Sequence, residues 1–229
     1  MTTLTVEEFG RRLRSLGPVS DLLVAGSLAT GDHIPGVSDL DLVAIVTGPV
    51  DPAAVAEIHG TFDEGLKLGC VYVDERTRLD VEVKHPTWTH GLFVQRILSG
   101  VTRAELVRHG YAVFGRPPLE LFPPMSDDDL RAAARAELAD YWSWAARRPR
   151  LWRDPAMADL SLTSMARGRH TLAHGSLLTK SAAIEESAAP EWLRAQLRAR
   201  RRGEPVVSPR WRTALIAWRD VRRTVASLS

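Results

Sequence analysis

Two aspartates one residue apart, Asp39 and Asp41, stand in the run Ser38-Asp39-Leu40-Asp41-Leu42-Val43-Ala44-Ile45-Val46. The alternation of Leu40, Leu42, Ala44 and Val46 with Asp39, Asp41 and Val43 predicts a strand. Successive side chains of a strand point to opposite faces, so the two carboxylates share one face. Like charges placed side by side on an apolar strand repel. A divalent cation offsets that cost, and Mg²⁺ is typically held by one or two carboxylates together with substrate phosphates. Upstream, an apolar run over residues 22–25 leads into Gly26-Ser27. Glycine lets a bulky anion approach the backbone. Ser27 offers a hydroxyl and opens a helical turn through Thr30, where free N–H groups attract anions. A metal pair beside a phosphate-binding turn points to phosphoryl or nucleotidyl transfer. The competing reading of the same residues is a β-hairpin with two solvated aspartates at its edge.

Residues 79–84, Leu-Asp-Val-Glu-Val-Lys, alternate strictly and predict a further strand. Leu79, Val81 and Val83 face one way; Asp80, Glu82 and Lys84 face the other. Placed beside the aspartate strand, Asp80 or Glu82 would supply a third carboxylate, as metal ligand or as general base on an acceptor hydroxyl. An edge strand with a solvated charged face fits the alternation too. The elements that must position these groups follow from local signals. Thr5-Val-Glu-Glu8 reads as a capping box opening a helix that Gly17-Pro18 stops. Asp51-Pro52 opens a helix reaching about residue 68. Residues 70–73 read as a short strand, 89–99 and 102–109 as helices, and 111–114 as an edge strand. Paired prolines at Pro117-Pro118 and Pro123-Pro124 mark a linker, with the domain boundary at 118/119. Beyond it Ser126 caps a helix with Asp127, Asp128 and Asp129 in its first turn. Helices follow over 159–173, 179–188, 190–201 and 209–228. The predicted fold class is α+β: residues 1–118 as a mixed sheet with flanking helices, residues 119–229 as a helical bundle.

Composition narrows the setting. The net charge of +2 divides unevenly: residues 1–118 carry 11 Lys/Arg and 15 Asp/Glu, and residues 119–229 carry 19 and 13. An acidic part joined to a basic part suits a site where metal-binding carboxylates face phosphate-binding cations. The single cysteine, Cys70, excludes an intrachain disulfide and reads as a buried strand residue. No apolar run reaches the roughly 18 residues of a membrane span, and the N-terminus has no signal-peptide pattern. A cytoplasmic monomer without a membrane partner is expected. The cluster Arg194, Arg198, Arg200, Arg201 and Arg202 reads as a solvated helix face, so nucleic acid is not an expected partner. His170 and His174, four apart, share a helix face; with no third ligand nearby they read as polar helix positions, not as a zinc pair.

Gly26-Ser27 followed by Ser38-Asp39-Leu40-Asp41-Leu42 resembles the signature of the polymerase-β-type nucleotidyltransferase superfamily, in which Gly-Ser precedes Asp-apolar-Asp and a third carboxylate lies on a later strand. In the second half, Gly110-Tyr-Ala-Val-Phe-Gly-Arg-Pro-Pro, Leu121-Phe-Pro-Pro-Met-Ser-Asp-Asp-Asp-Leu130, Leu162-Thr-Ser-Met-Ala-Arg167 and His174-Gly-Ser-Leu-Leu-Thr-Lys-Ser-Ala-Ala183 resemble the bacterial aminoglycoside adenylyltransferases of the streptomycin/spectinomycin type. The resemblance implies an N-terminal nucleotidyltransferase domain, a C-terminal helical domain that clamps nucleotide and substrate, and a site between them. It implies that Gly26, Ser27 and Ser38 contact the triphosphate of ATP, that Asp39 and Asp41 hold Mg²⁺, and that Arg167 and Lys180 neutralise the phosphates. Glu82 falls near the family's catalytic glutamate and would join the metal set, with Asp80 as its rival. Trp152, Asp154 and Asp159 are the candidates for binding a cationic antibiotic, with Trp142 and Trp144 as alternatives. The implied reaction moves AMP from ATP to an antibiotic hydroxyl and releases pyrophosphate. A protein or other small-molecule acceptor and an inactive nucleotide-binding regulatory module are the alternatives. The chain departs from the family where Val83 and Lys84 follow Glu82, since the family has tryptophan after its glutamate.

Overall fold

The computed structural model describes residues 2–228. The chain divides into two compact units, Met1–Pro124 and Met125–Ser229. The first unit is built on six strands: β1 (Val19–Val24), β2 (Leu40–Val46), β3 (Leu68–Asp74), β4 (Lys84–Thr89), β5 (Leu92–Ile97) and β6 (Tyr111–Phe114), in the spatial order β5-β4-β3-β2-β1-β6. The β2–β3 pair is parallel and every other pair antiparallel, so the sheet is mixed. Helices α1 (Thr2–Arg14), α2 (Gly26–Ala29), α3 (Pro52–Gly60), α4 (Gly100–His109) and α5 (Pro118–Leu121) complete this unit.

Alternation along β2 explains the layering. Leu40, Leu42, Ala44 and Val46 join Leu22, Val24, Cys70 and Tyr72 against Val6, Phe9 and Leu13 of α1 and Val55 of α3. Val43 and Ile45 join Leu23, Ala25 and Val73 on the other face, against Leu106 of α4, Leu121 of α5 and Phe122. A parallel pair covered on both faces reads as a continuous apolar run, and β2 is buried at every position but Asp41. Under the first face, His59 Nε2 lies 3.1 Å from the Tyr72 hydroxyl and its ring stacks on Trp88. Burial depresses the His59 pKa to about 3 and pushes the Cys70 thiol up to about 12. Cys70 is therefore an inert core residue.

Several expected elements differ. The first helix begins at Thr2, so Thr5 lies inside it and is no cap. The helix from Asp51 stops at Gly60, with a 3₁₀ turn at Glu64–Leu66 before β3. The expected helix over 89–99 is instead the end of β4, a turn with His90 and Gly91 at positive φ, and β5; the left-handed turn lets the chain fold back as a hairpin. The expected strand over 79–84 is a loop that becomes β4 only at Lys84. The compact first unit runs to Pro124 because Leu121 and Phe122 pack in its core.

The second unit is helical: α6 (Asp127–Glu137), a π turn at Leu138–Trp142, α7 (Ser143–Ala146), a 3₁₀ turn at Pro149–Arg153, α8 (Pro155–His174), α9 (Lys180–Glu186), α10 (Glu191–Arg201) and α11 (Arg210–Ala226). Ser126 and Asp129 form a reciprocal capping box on α6. The 20-residue α8 carries Ala158, Leu162 and Met165 into a core shared with Leu138, Trp142, Ile184, Leu193, Ala217 and Val221. Inside that core Arg169 reaches the buried Asp220 at 2.9 Å and the Thr224 hydroxyl at 2.7 Å. Among the described residues no helix is long and apolar enough to cross a membrane.

Candidate active site

The Gly26-Ser27 turn and the start of β2 form one constellation. The Ala25 N–H donates to the Asp41 carbonyl at 2.9 Å, which ties the entry of the turn to the aspartate strand. Gly26 has φ +61, and a Cβ there would collide with the Asp41 carboxylate. Only glycine lets the turn lie this close to that side chain. Ser27 follows with its Oγ buried and without a hydrogen-bond partner. A buried hydroxyl normally finds a partner, so an orphaned one beside a carboxylate suits an incoming ligand. Asp41 is exposed on a strand otherwise buried, and Asp39, just before the strand, is half-buried.

The loop between turn and strand is braced internally. Ser38 Oγ accepts from the Ile34 N–H at 3.0 Å, and the N–H groups of Val37 and Ser38 donate to the Ile34 carbonyl. Ser38 is 5% exposed, so its hydroxyl shapes the loop that delivers Asp39. Lys67, in the left-handed conformation before β3, donates from Nζ to the Val37 carbonyl at 2.9 Å. Sequence reasoning missed this cation. Its only signal was its position just before the strand that pairs with Leu40.

The structure does not bring Asp80 or Glu82 to this constellation. In the parallel register Asp41 pairs with Gly69, and Val46 with Asp74. Residues 79–83 lead into Lys84 at the far end of β4, which runs antiparallel to β3 with Cys70 opposite Trp88. The five residues from Asp41 to Val46 amount to about 16 Å at roughly 3.3 Å per residue. Asp80 and Glu82 are both exposed, and the Glu82 N–H donates to Asp80 Oδ1. Arg103 of α4 donates to the carbonyls of Leu98, Arg78 and Asp80 and holds the loop there. Continuing the β3–β4 register one step from Cys70–Trp88 sets Thr89 beside Gly69, in line with Asp41. A hydroxyl, not a carboxylate, stands in that row. Among the described residues no group of three His, Cys, Asp or Glu side chains is placed to hold a metal ion. The expected triad of Asp39, Asp41 and Glu82 is thus not assembled among the described residues. A pair of carboxylates beside an anion-accepting turn still fits Mg²⁺, which takes its remaining oxygens from phosphates and water.

The far end of β1 carries a different ionic group. Asp21 is 1% exposed; Arg116 donates to it from its backbone N–H and guanidinium, and also reaches Glu75. Burial works to raise the Asp21 pKa, but hydrogen bonds from Arg116 and Ser20 hold it below its usual value. This is a structural clamp joining β1, β3 and the chain after β6.

In the second unit the candidate antibiotic-binding residues have structural partners. Trp152 is 2% exposed inside the helical core, so it cannot line a binding surface. Asp154 caps α8 by accepting from the Ala156 N–H. Asp159 is held by both Arg200 Nε and Nη2, at 2.5 and 2.9 Å. Of the alternatives, Trp142 is buried, while Trp144 is 41% exposed, stacked on Tyr141 and covered by the Arg148 guanidinium. Arg167 Nε donates to the Leu178 carbonyl, and Lys180 opens α9 behind the Thr179 cap.

Comparison with known proteins accords with this geometry. Residues 6–96 match the family described as "Nucleotidyltransferase domain". No curated protein matches the sequence. Among solved structures, the spectinomycin adenyltransferase AAD(9) from Enterococcus faecialis with ATP and spectinomycin is similar over 96% of this chain and 98% of its own, at 14% identity and TM-score 0.66. A toxin–antitoxin structure with AMP-PNP aligns over 62% of this chain and 91% of its own at 19% identity, but its TM-score of 0.31 carries no weight. The long alignment extends the shared fold through the helical part, whereas the domain match bears on the sheet and its turn. Residues 6–96 carry a nucleotidyltransferase domain that resembles the polymerase-β type, and the chain is an enzyme of the nucleotidyltransferase class.

Proposed function

We propose that this enzyme transfers AMP from ATP to a hydroxyl of an aminocyclitol or aminoglycoside antibiotic of the spectinomycin/streptomycin kind, releasing pyrophosphate and so conferring resistance. The observation that carries the reading is the orphaned Ser27 hydroxyl beside Gly26, packed against the exposed Asp41 carboxylate. The similarity to AAD(9) along nearly the whole chain supports the choice of nucleotide and acceptor.

On this reading Asp39 and Asp41 would hold Mg²⁺, which when bound neutralises phosphate charge and orients the α-phosphate. Ser27 donates its hydroxyl to a phosphate oxygen, and Gly26 keeps the backbone close. Lys67, Arg167 and Lys180 add positive charge for the triphosphate and the departing pyrophosphate. Most of the barrier reduction then comes from positioning and charge neutralisation, as for phosphoryl transfer generally. The test is pyrophosphate release by the purified chain with ATP, Mg²⁺ and a panel of spectinomycin, streptomycin and deoxystreptamine aminoglycosides. Release with one drug, lost in Asp41→Asn, supports the reading. Silence across the panel with ATP still bound overturns it.

A further inference from the structure

The arginines of the second unit fall into two kinds. Those of α10, the cluster that reads as a solvated face, are held by carboxylates: Arg194 and Arg198 pair with Glu191, Arg198 also with Glu185, and Arg200 with Asp159. Those of α11 and of the chain before α8 differ. Residues 147–153 hold four arginines and α11 holds five, and the only carboxylate in either stretch is Asp220. Asp220 is 3% exposed and already bonded to Arg169. Arg153, Arg212, Arg219 and Arg222 are all exposed, and among the described residues none of them makes an ion pair. Like charges gathered without counter-charges give the surface a strong positive potential.

Tryptophans are interleaved with these cations. Arg153 lies over the Trp211 ring at 5.5 Å from its centroid, Arg212 over Trp192 at 4.7 Å and Arg222 over Trp218 at 5.0 Å. Arg210 Nε donates to the Arg153 carbonyl at 2.9 Å and Trp218 Nε1 to the Ala146 carbonyl at 2.8 Å, so residues 146–153 and α11 form one surface. Trp211 is 67% exposed and Leu215, one turn further, is 42% exposed. Residues three and four apart share a helix face, so Trp211, Leu215, Arg219 and Arg222 make one stripe. It runs for about 16 Å at roughly 1.5 Å per residue. An exposed aromatic stripe set among cations marks a binding surface rather than a merely solvated one.

The matching partner is a polyanion that carries flat apolar faces. Its phosphates answer the unpaired guanidinium groups, and its bases stack on indole rings and on guanidinium planes. A cationic antibiotic would be repelled here. A regular duplex keeps its bases stacked inside and would leave Trp211 and Leu215 unused. We infer that this face of α11 binds single-stranded nucleic acid, with a base stacked on Trp211 and phosphates on Arg212, Arg219 and Arg222.

The test titrates the full chain into a labelled oligouridylate of about 15 nucleotides, near the upper site size of single-strand binders, and reads fluorescence anisotropy at several salt concentrations. A duplex of the same length and vesicles rich in phosphatidylserine are run beside it. The single strand should bind at least about tenfold tighter than the duplex, the scale of one lost base stack. Its log affinity should fall with log salt at a slope of about −2, as three phosphate contacts give at roughly 0.7 each. Trp211→Ala should weaken binding about tenfold at an unchanged melting temperature. Arg219→Gln together with Arg222→Gln should flatten the slope to about −0.7, and Arg194→Gln on α10 should change neither readout. The salt titration of the unaltered chain needs no variant to fold. No binding at low salt, equal binding to the duplex, indifference to Trp211→Ala, or capture by vesicles without oligonucleotide binding overturns the inference. None of these outcomes bears on the transfer reaction, which uses none of these residues.

Discussion

Leu40-Asp41-Leu42 and Leu79-Asp80-Val81-Glu82-Val83 have the same pattern of apolar residues and carboxylates, yet only the first is a strand. Leu40 and Leu42 are buried to within 2% of full exclusion, while Leu79 and Val81 are 55% and 48% exposed. The difference lies in what surrounds them. β2 has β1 on one side, β3 on the other, and helices on both faces, so every side chain but that of Asp41 is buried. Around residues 79–83 Arg103 takes the carbonyls of Arg78 and Asp80, and pairing resumes only at Lys84. Alternation is a condition for a half-buried strand, but neighbours decide whether it forms. A carboxylate therefore becomes part of a site through the register of its strand, not through its spacing in sequence.

The sharpest test of that contrast is Asp41→Asn. Its side chain is exposed, so the fold should be unaffected. Pyrophosphate release should fall by about 100- to 1,000-fold, the range for losing one electrostatic element of a transition-state site. Equal melting temperatures with normal turnover would remove Asp41 from the site. Gly26→Ala comes next. It places a Cβ at positive φ against the Asp41 carboxylate, and strain of this kind costs about 1–3 kcal/mol. Both turnover and denaturant midpoint should drop, whereas the same change at Gly31, with open space around it, should spare turnover.

The core beneath the two regions responds to pH. His59 is buried and stays neutral down to about pH 3 because of that burial, while in the unfolded chain it titrates near 6.5. Stability from this group is complete above the unfolded pKa and is lost as pH falls from there toward 3, since only the unfolded state takes up the proton. His85, also depressed by burial first and by Arg103 second, acts in the same direction. Urea unfolding from pH 7 to 5 should show the loss, and His59→Phe should flatten its slope. Arg103→Met, at the other end of the sheet, leaves the carbonyls of Leu98, Arg78 and Asp80 without their donor. It should lower stability by about 1–3 kcal/mol and leave turnover within a few-fold of normal.

The aspartate pair, the Gly-Ser turn, the α+β class and the helical second half were legible because each rests on local chemistry: alternation, glycine, capping residues and paired prolines. The β4–β5 hairpin was not. Residues 89–99 carry Leu92, Phe93, Ile97 and Leu98 at helical spacing, and the turn depends on His90 adopting φ 48 beside Gly91, which no propensity announces. Trp152 was misread because one tryptophan in a loop-like stretch looks the same whether the helices around it are packed or open. The contacts of His170 with Ser176 and Glu186 were invisible for a related reason. His170 was paired in sequence with His174, while its hydrogen-bond partners lie six and sixteen residues downstream, across the turn from α8 to α9.

The smallest expected effect is the most informative about the third carboxylate. Glu82→Gln removes a charge from an exposed loop whose register puts it at the Val46–Asp74 end of the sheet. Exposed charges separated by more than a Debye length, about 8 Å at physiological salt, are largely screened. The substitution should therefore leave kcat and KM within about twofold and stability within about 0.5 kcal/mol. Asp80→Asn, which keeps an oxygen to accept the Glu82 N–H, should likewise leave stability and turnover nearly unchanged. Thr89→Val supplies the converse, since it alters the row that contains Asp41 and Gly69 while keeping the side chain's shape. If Glu82→Gln abolished turnover while Thr89→Val did not, the loop would have to fold over the aspartate pair during catalysis. The contrast between the two Asp-apolar segments would then hold only for the resting enzyme.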